Sequence, residues 1–189
     1  TGAAAQPVLV SGFNTMPTVN GTTYSKIGNL GKPGRAYQYV CCANDRLTMY
    51  ATSFTVNYLY YIDPATFTIT DSMNHQFYNI TATNETNTIF ARTNTGLARI
   101  DAVAKMVTDS INLANAVYVH ERPNSKEVWV PSNSNMVYVV DYTSAMTSTS
   151  FTAGGSATDV GEVAFTSGGT MAYKLGWNTK KVYKIDAAT

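Results

Sequence analysis

The chain has 189 residues, of which 44% are hydrophobic and 13% charged, with a formal net charge of +1. A chain of this length buries about 70% of its unfolded surface, so its core needs no disulfide or metal staples. Near-neutral charge gives no field to attract polyanions, which argues against a nucleic-acid partner, and no apolar run approaches the roughly 18 residues that span a bilayer.

Charged residues are scarce against a norm of about 25%, and Thr, Asn and Ser stand in their place, as suits exposed strands and turns. The chain starts at Thr1 without a methionine. That start fits loss of an initiator, loss of a leader or a cut, and the sequence leaves these open.

In chain order, residues 7–11 read as an isolated strand. Residues 12–35 are dominated by turn chemistry (Asn20-Gly21, Gly31-Lys32-Pro33-Gly34) around one short strand candidate at 23–27. They are expected to form a long loop between blades, with a degenerate blade as the alternative. Cys41 and Cys42 are neighbours in the strand-like run 37–42 and should point to opposite faces. Two packing thiols are expected, a strained vicinal disulfide being the other reading.

From here a repeat governs the chain. Tyr50, Phe90, Trp129 and Tyr173 are each followed 11 to 13 positions later by an aspartate preceded by Ile or Val: Asp63, Asp101, Asp141 and Asp186. The aspartates lie 38, 40 and 45 residues apart, the period of a four-stranded propeller blade. The third unit is the clearest, with strands expected at 116–120, 127–130, 136–141 and 148–151. The first gives 39–43, 47–52, 58–63 and 67–70, the second 78–82, 88–92, 96–101 and 105–108, and the fourth 162–165, 170–175 and 181–186.

The expected fold class is therefore all-β, a small β-propeller of four blades with a possible fifth in 12–35. The repeats span about 36–72, 73–111, 112–151 and 152–189 in a single domain. The fourth unit lacks an outer strand, so strand 7–11 is expected to pair with 181–186 and close the ring. Exchange of that strand with a neighbouring chain is the alternative.

The segments Val128-Trp129-Val130-Pro131-Ser132-Asn133 and Met136-Val137-Tyr138-Val139-Val140-Asp141 resemble the repeat of the YVTN family of β-propellers. Weaker echoes run from Tyr58 to Thr66 and from Lys181 to Thr189, both ending in Ile-Asp-x-Ala-Thr. The resemblance implies a propeller scaffold of the kind found in surface, extracellular and virion proteins and in some enzymes. It carries over no catalytic motif.

Catalytic groups are few: two histidines, twelve carboxylates, and no His-x-x-x-His or Cys-x-x-Cys spacing. His120-Glu121 reads as a polar strand end rather than a base beside a carboxylate. The four repeated aspartates read as turn acceptors rather than a metal ring. No catalytic residue, metal or cofactor is expected, and the chain is expected not to be an enzyme.

Most of the 13 Tyr, 7 Phe and 2 Trp recur at strand spacing and are expected to pack between blades. Phe13, Phe54 and Trp177 fall outside that spacing, and with His75, in a predicted loop, they are the candidate ligand contacts. Together with the loops at 12–35 and 152–161 they mark one face as the contact surface. Sequons occur at Asn20, Asn79 and Asn84 and matter only for a secreted eukaryotic protein.

The function expected from these features is a non-enzymatic structural or adhesive protein on a virion or cell surface. It would act through protein partners in a larger assembly or homo-oligomer. A carbohydrate-binding propeller with glycan partners is the alternative, and a hydrolase or lyase on the same scaffold is a third.

Overall fold

The computed structural model describes strands 7–9, 16–20 and 26–30 by their backbone, and residues 37–43, 47–53, 55–154 and 157–188. Every described element is a β-strand, and among the described residues no helix is long and apolar enough to cross a membrane. The chain divides into two units, Thr1–Tyr78 and Asn79–Thr189.

The first unit holds two antiparallel sheets. β1 (Pro7–Leu9), β2 (Met16–Asn20) and β3 (Lys26–Leu30) form a three-stranded meander. This corrects one expectation: residues 12–35 contain two strands rather than a long loop. The opening strand pairs with β2, Val8 opposite Val19, a hairpin whose short loop costs little chain entropy to close.

The second sheet is β4 (Tyr37–Cys42), β5 (Met49–Ser53), β6 (Tyr58–Asp63) and β7 (Thr68–Asn74), in that order. Its two central strands are buried on both faces. Ala51, Tyr60 and Ile62 gather Val40, Met49 and Ile69 on one side, and Tyr50, Leu59 and Tyr61 are buried on the other. Cys41 and Cys42 are thiols at successive positions of β4, the first half-buried and the second exposed, as alternation along a strand requires.

The second unit holds three sheets. The first comprises β8 (Ile80–Ala82), β9 (Thr88–Arg92), β10 (Gly96–Asp101) and β11 (Met106–Asn112). The next is β12 (His120–Glu121), β13 (Glu127–Pro131), β14 (Met136–Asp141) and β15 (Thr147–Thr152), and the last β16 (Val163–Phe165), β17 (Met171–Gly176) and β18 (Lys181–Asp186). The strand expected at 116–120 shrinks to two residues. Pro131 has no N–H to extend the ladder, so only its carbonyl serves the chain there, accepting from Val117 and Tyr118. The outer strands β7 and β11 run to seven residues, longer than expected, because alternating Thr, Ser and Asp extend the pleat on an exposed edge.

The repeat survives in the register. Tyr50 lies opposite Tyr61, Phe90 opposite Arg99, Trp129 opposite Val139 and Tyr173 opposite Lys184, in each case two residues before the aspartate. Each aspartate carboxylate accepts the backbone N–H two residues on: Ala65 at 2.7 Å, Val103 at 2.8 Å, Thr143 at 2.7 Å and Ala188 at 2.9 Å. The aspartates are turn acceptors, as the sequence indicated.

Within the second unit the sheets stack with a fixed polarity. The aromatic-bearing face of one sheet (Phe90, Leu97) packs on the aliphatic face of the next (Val128, Val130, Val140). That sheet's own aromatic face (Trp129, Val137) packs in turn on Val163, Ala172 and Ala187. Trp129 is held edge-on by Phe151 and Phe165, with centroids 5.1 and 4.9 Å away. Full burial of Leu97 or Val137 stabilises this stack by about 1.5–3 kcal/mol each.

Candidate interaction surface

The stacking rule leaves the aromatic face of the last sheet uncovered. Register places Leu59 in β6, Leu97 in β10, Val137 in β14 and Val182 in β18 at equivalent positions. The first three are 0% exposed, whereas Val182 is 62% exposed. Across from it Leu175 is 51% exposed, and Tyr173, the equivalent of buried Phe90 and Trp129, is also open to solvent. Strand alternation sends Tyr173 and Leu175 to one side of β17 while Ala172, Lys174 and Gly176 are buried on the other. Trp177, at the next outward position, is 72% exposed in the β17–β18 turn.

Charged residues frame this apolar face. Glu162 lies opposite Leu175 at the start of the β16 edge, and Lys184 and Asp186 alternate with Val182 along β18. The Lys180 ammonium sits over the Trp177 ring, 5.0 Å from its centroid.

The opposite face is tightly built. Lys174, at the position held by Ala51, Ala91 and Val130 in the other sheets, is buried and donates to the Asp159 carbonyl. Burial lowers the Lys174 ammonium below the usual lysine range, against the opposing charge of Asp159. Burial pushes the Asp159 carboxyl up, but the Thr179 hydroxyl and amide, Tyr183 hydroxyl and Asn178 amide together hold it below the usual range. The Thr179 hydroxyl donates to it at 2.7 Å. Gly176 fits beneath this group because a Cβ there would lie 2.4 Å from both the Asp159 carboxylate and the Thr179 hydroxyl.

Two grooves open between successive sheets of this unit. One, of about 440 Å³, is bordered by Arg122, Glu127, Thr149, Ser150, Phe151 and Asp186. The other, of about 490 Å³, is bordered by Thr86, Arg99, Asp101, Asp109 and Ser144. Both present hydroxyls and carboxylates beside one guanidinium, a lining suited to hydrogen-bonding a small polar ligand.

Arginines bridge the sheets. Arg92 Nε donates to the Ala116 carbonyl at 2.7 Å and Arg122 Nε to the Gly169 carbonyl at 2.9 Å, each reaching the following sheet's part of the chain. Arg99 pairs with Glu85 at 2.9 Å, and Lys126 pairs with the same carboxylate. The Lys126 hydrogen bond, with the charges of Lys126 and Arg99, holds Glu85 below the usual carboxylate range. Both cations approach the Tyr142 ring, each 5.8 Å from its centroid.

Of the residues the sequence singled out, Phe13 and Phe54 lie outside the described residues. His75 is exposed after β7, in the first unit, with its ring 4.4 Å from that of buried Phe77. Trp177 belongs to the second unit and borders the open face. Glu121 accepts the Asn84 N–H and the Tyr142 hydroxyl, the latter at 3.2 Å, so it joins two sheets. Burial pushes its carboxyl up. His120 is lowered to about 4 by burial, and its Nε2 has no hydrogen-bond partner. Of the sequons, Asn79 is buried, and its side-chain carbonyl accepts the Val119 N–H at 2.6 Å. Among the described residues, no three of His, Cys, Asp and Glu group closely enough to hold a metal ion.

No family model matches the sequence, and no curated protein matches it. The fold is similar to that of a chain in the crystal structure of the mitotic checkpoint complex, with a TM-score of 0.78 at 12% identity over 96% of this chain and 59% of that one. It is also similar to Kuenenia stuttgartiensis hydrazine synthase, with a TM-score of 0.81 at 14% identity over 96% of this chain and 62% of that one. The chain thus spans about three fifths of the length of these solved chains. With the antiparallel sheets, these likenesses support a β-propeller type of fold. At such identities they carry the fold alone, and 778 solved chains match at this level, too many for the fold to select a function.

Proposed function

We propose that the protein is a non-enzymatic structural or adhesive component of a virion or cell surface, built on a YVTN-like repeat and acting through protein contacts at the open face of β16–β18. One observation carries the reading: Val182 is 62% exposed at a register position where Leu59, Leu97 and Val137 are 0% exposed. A face with core composition left in water marks a contact site. The low charge and the Thr- and Asn-rich exterior suit a component of a larger assembly. A photo-crosslinking residue at position 182, activated in native material, is expected to form protein adducts. Absence of adducts there would overturn the reading.

A second reading, glycan binding, draws on the groove of about 440 Å³ with Thr149, Ser150, Glu127 and Asp186 at its rim. Calorimetry against a panel of neutral oligosaccharides, with Arg122→Ala as control, tests it. Heat that is unchanged by the variant, or absent throughout, counts against it.

A further inference from the structure

We infer that the groove of about 440 Å³ between the β12–β15 and β16–β18 sheets binds a planar aromatic ring carrying one hydroxyl, a phenol, for which Tyr142 at the preceding junction is the internal template. The inference is independent of the contact role proposed for the open face of β16–β18, and it is an alternative to a glycan in the same groove. In each sheet of the second unit the residue after the repeated aspartate is anchored alike. The Ala102, Tyr142 and Ala187 N–H groups donate to the Asn87, Lys126 and Thr170 carbonyls, each just before the residue that lies opposite the aspartate. The backbone therefore delivers residues 142 and 187 to the same place at successive junctions. Tyr142 fills its junction: it is 0% exposed, its ring lies 4.9 Å from that of Phe90, and its hydroxyl donates to Glu121 at 3.2 Å. At Ala187 the side chain is a single methyl.

The groove is lined by the register equivalents of the residues around Tyr142. Trp129 stands where Phe90 does and Val139 where Arg99 does, each pair directly opposed in its own sheet. Arg122 corresponds to Thr83, whose hydroxyl approaches that of Tyr142; each lies two residues beyond the inner-strand partner of the aromatic, Thr81 or His120. Together with Ala187, the residues Trp129, Val139 and Arg122 border the groove. The space that a tyrosine ring occupies at one junction is thus open at the next. Its chemistry matches as well. Glu127 and Arg122, paired at 2.8 Å on the border, supply a carboxylate to accept a hydroxyl and a cation to approach a ring face, the roles that Glu121 and Arg99 perform for Tyr142. A sugar would set several hydroxyls against Val139 and Ile185, where they lose water without gaining a partner, whereas a phenol has one hydroxyl to satisfy. The volume lies within the range of small-ligand sites, about 300–1,000 Å³.

Heteronuclear NMR titration of the purified protein with 4-methylphenol, a tyrosine side chain without its backbone, tests the inference. Saturable shifts are expected at the amides of Val139, Thr149 and Ala187, and toluene, which lacks the hydroxyl, should bind about tenfold more weakly. Glu127→Gln should remove that preference and leave toluene binding unchanged. Ala187→Tyr should fill the groove from within, abolish binding of both probes and raise the melting temperature. Where that variant does not fold, the shift map and the Glu127→Gln comparison decide. N-acetyltyrosinamide separates the two sources of the ring: binding equal to that of 4-methylphenol assigns the groove to a tyrosine of a protein partner, and exclusion assigns it to small phenols. Absence of saturable shifts, shifts confined to residues away from the groove, or a folded Ala187→Tyr protein that binds as wild type overturns the inference, as does a hydroxyl preference that survives Glu127→Gln. If neutral oligosaccharides shift these amides and 4-methylphenol does not, the phenol assignment falls and the glycan reading stands. If neither does, both fall, and the contact role of β16–β18 is unaffected.

Discussion

Arg122 donates from Nε to the Gly169 carbonyl at 2.9 Å, tying the turn after β12 to the turn before β17 in the following sheet. The same guanidinium meets Glu127 through Nη1 at 2.8 Å, so one side chain orders a strand start and an inter-sheet contact together. Arg122→Ala should destabilise the fold by about 1–3 kcal/mol, since a half-buried carbonyl loses its charged donor. Arg122→Lys should recover only part, because an ammonium lacks the planar fork that serves both acceptors. Urea denaturation midpoints of the three proteins decide the order.

Adjacent glycines in the β16–β17 turn should respond with opposite signs. At Gly169, φ is +69° and a Cβ would lie 2.2 Å from the Pro123 carbonyl oxygen, so Gly169→Ala strains the turn and pushes the two sheets apart. A loss of about 1–3 kcal/mol is expected. A Cβ at Gly168 would meet nothing within 4 Å, and Gly168→Ala should be neutral or stabilising by about 0.5 kcal/mol through reduced freedom of the unfolded chain. Thermal melts of both variants check the contrast.

His120 makes the fold sensitive to mild acid. Burial lowers its folded-state pKa from 6.5 to about 4. Between those values the unfolded chain takes up a proton that the folded chain refuses, so its contribution is whole above pH 6.5 and declines as pH falls toward 4. Neighbouring Glu121 acts in the opposite sense. Its pKa is raised, so the folded carboxyl protonates first and that group alone favours folding as pH falls through its folded value. His120→Gln should therefore remove His120's share of the acid-side decline, and its stability should gain on wild type between pH 6.5 and 4. Parallel stability curves for the two proteins would contradict this.

Tyr142, fully buried against Phe90 with ring centroids 4.9 Å apart, serves packing and polarity separately. Tyr142→Phe keeps the ring and removes the hydroxyl that donates to Glu121, for a loss of about 1–2 kcal/mol. Tyr142→Ala also empties the site between the sheets and should cost about 3–5 kcal/mol. Guanidinium unfolding should separate the two variants clearly.

Much of the architecture was legible because strands announce themselves locally. Residues 58–63, 96–101, 136–141 and 181–186 each end in Asp and form strands at those bounds. The aspartates' turn role was legible for the same reason, each serving a backbone N–H two residues away. The inter-sheet links were not. Nothing near Asn79 in sequence shows that its side chain caps Val119, and a sequon there looks like one on any exposed turn. The shortened strand at β12 depended on Pro131, whose missing donor matters only once the register is fixed. Two strands inside 16–30 were hidden by weak alternation and many turn residues.

The amino-acid order alone determined that this is an all-β chain of repeated meanders, since period-2 alternation and turn chemistry act within a few residues. It gave Val137 and Val182 the same outward signature, an aliphatic residue at the same place in the same kind of strand. Only the tertiary structure decided that one is sealed inside and the other stands in water. Burial of a sheet face depends on a neighbouring sheet supplied by residues distant in the chain, and no local pattern encodes whether that neighbour arrives.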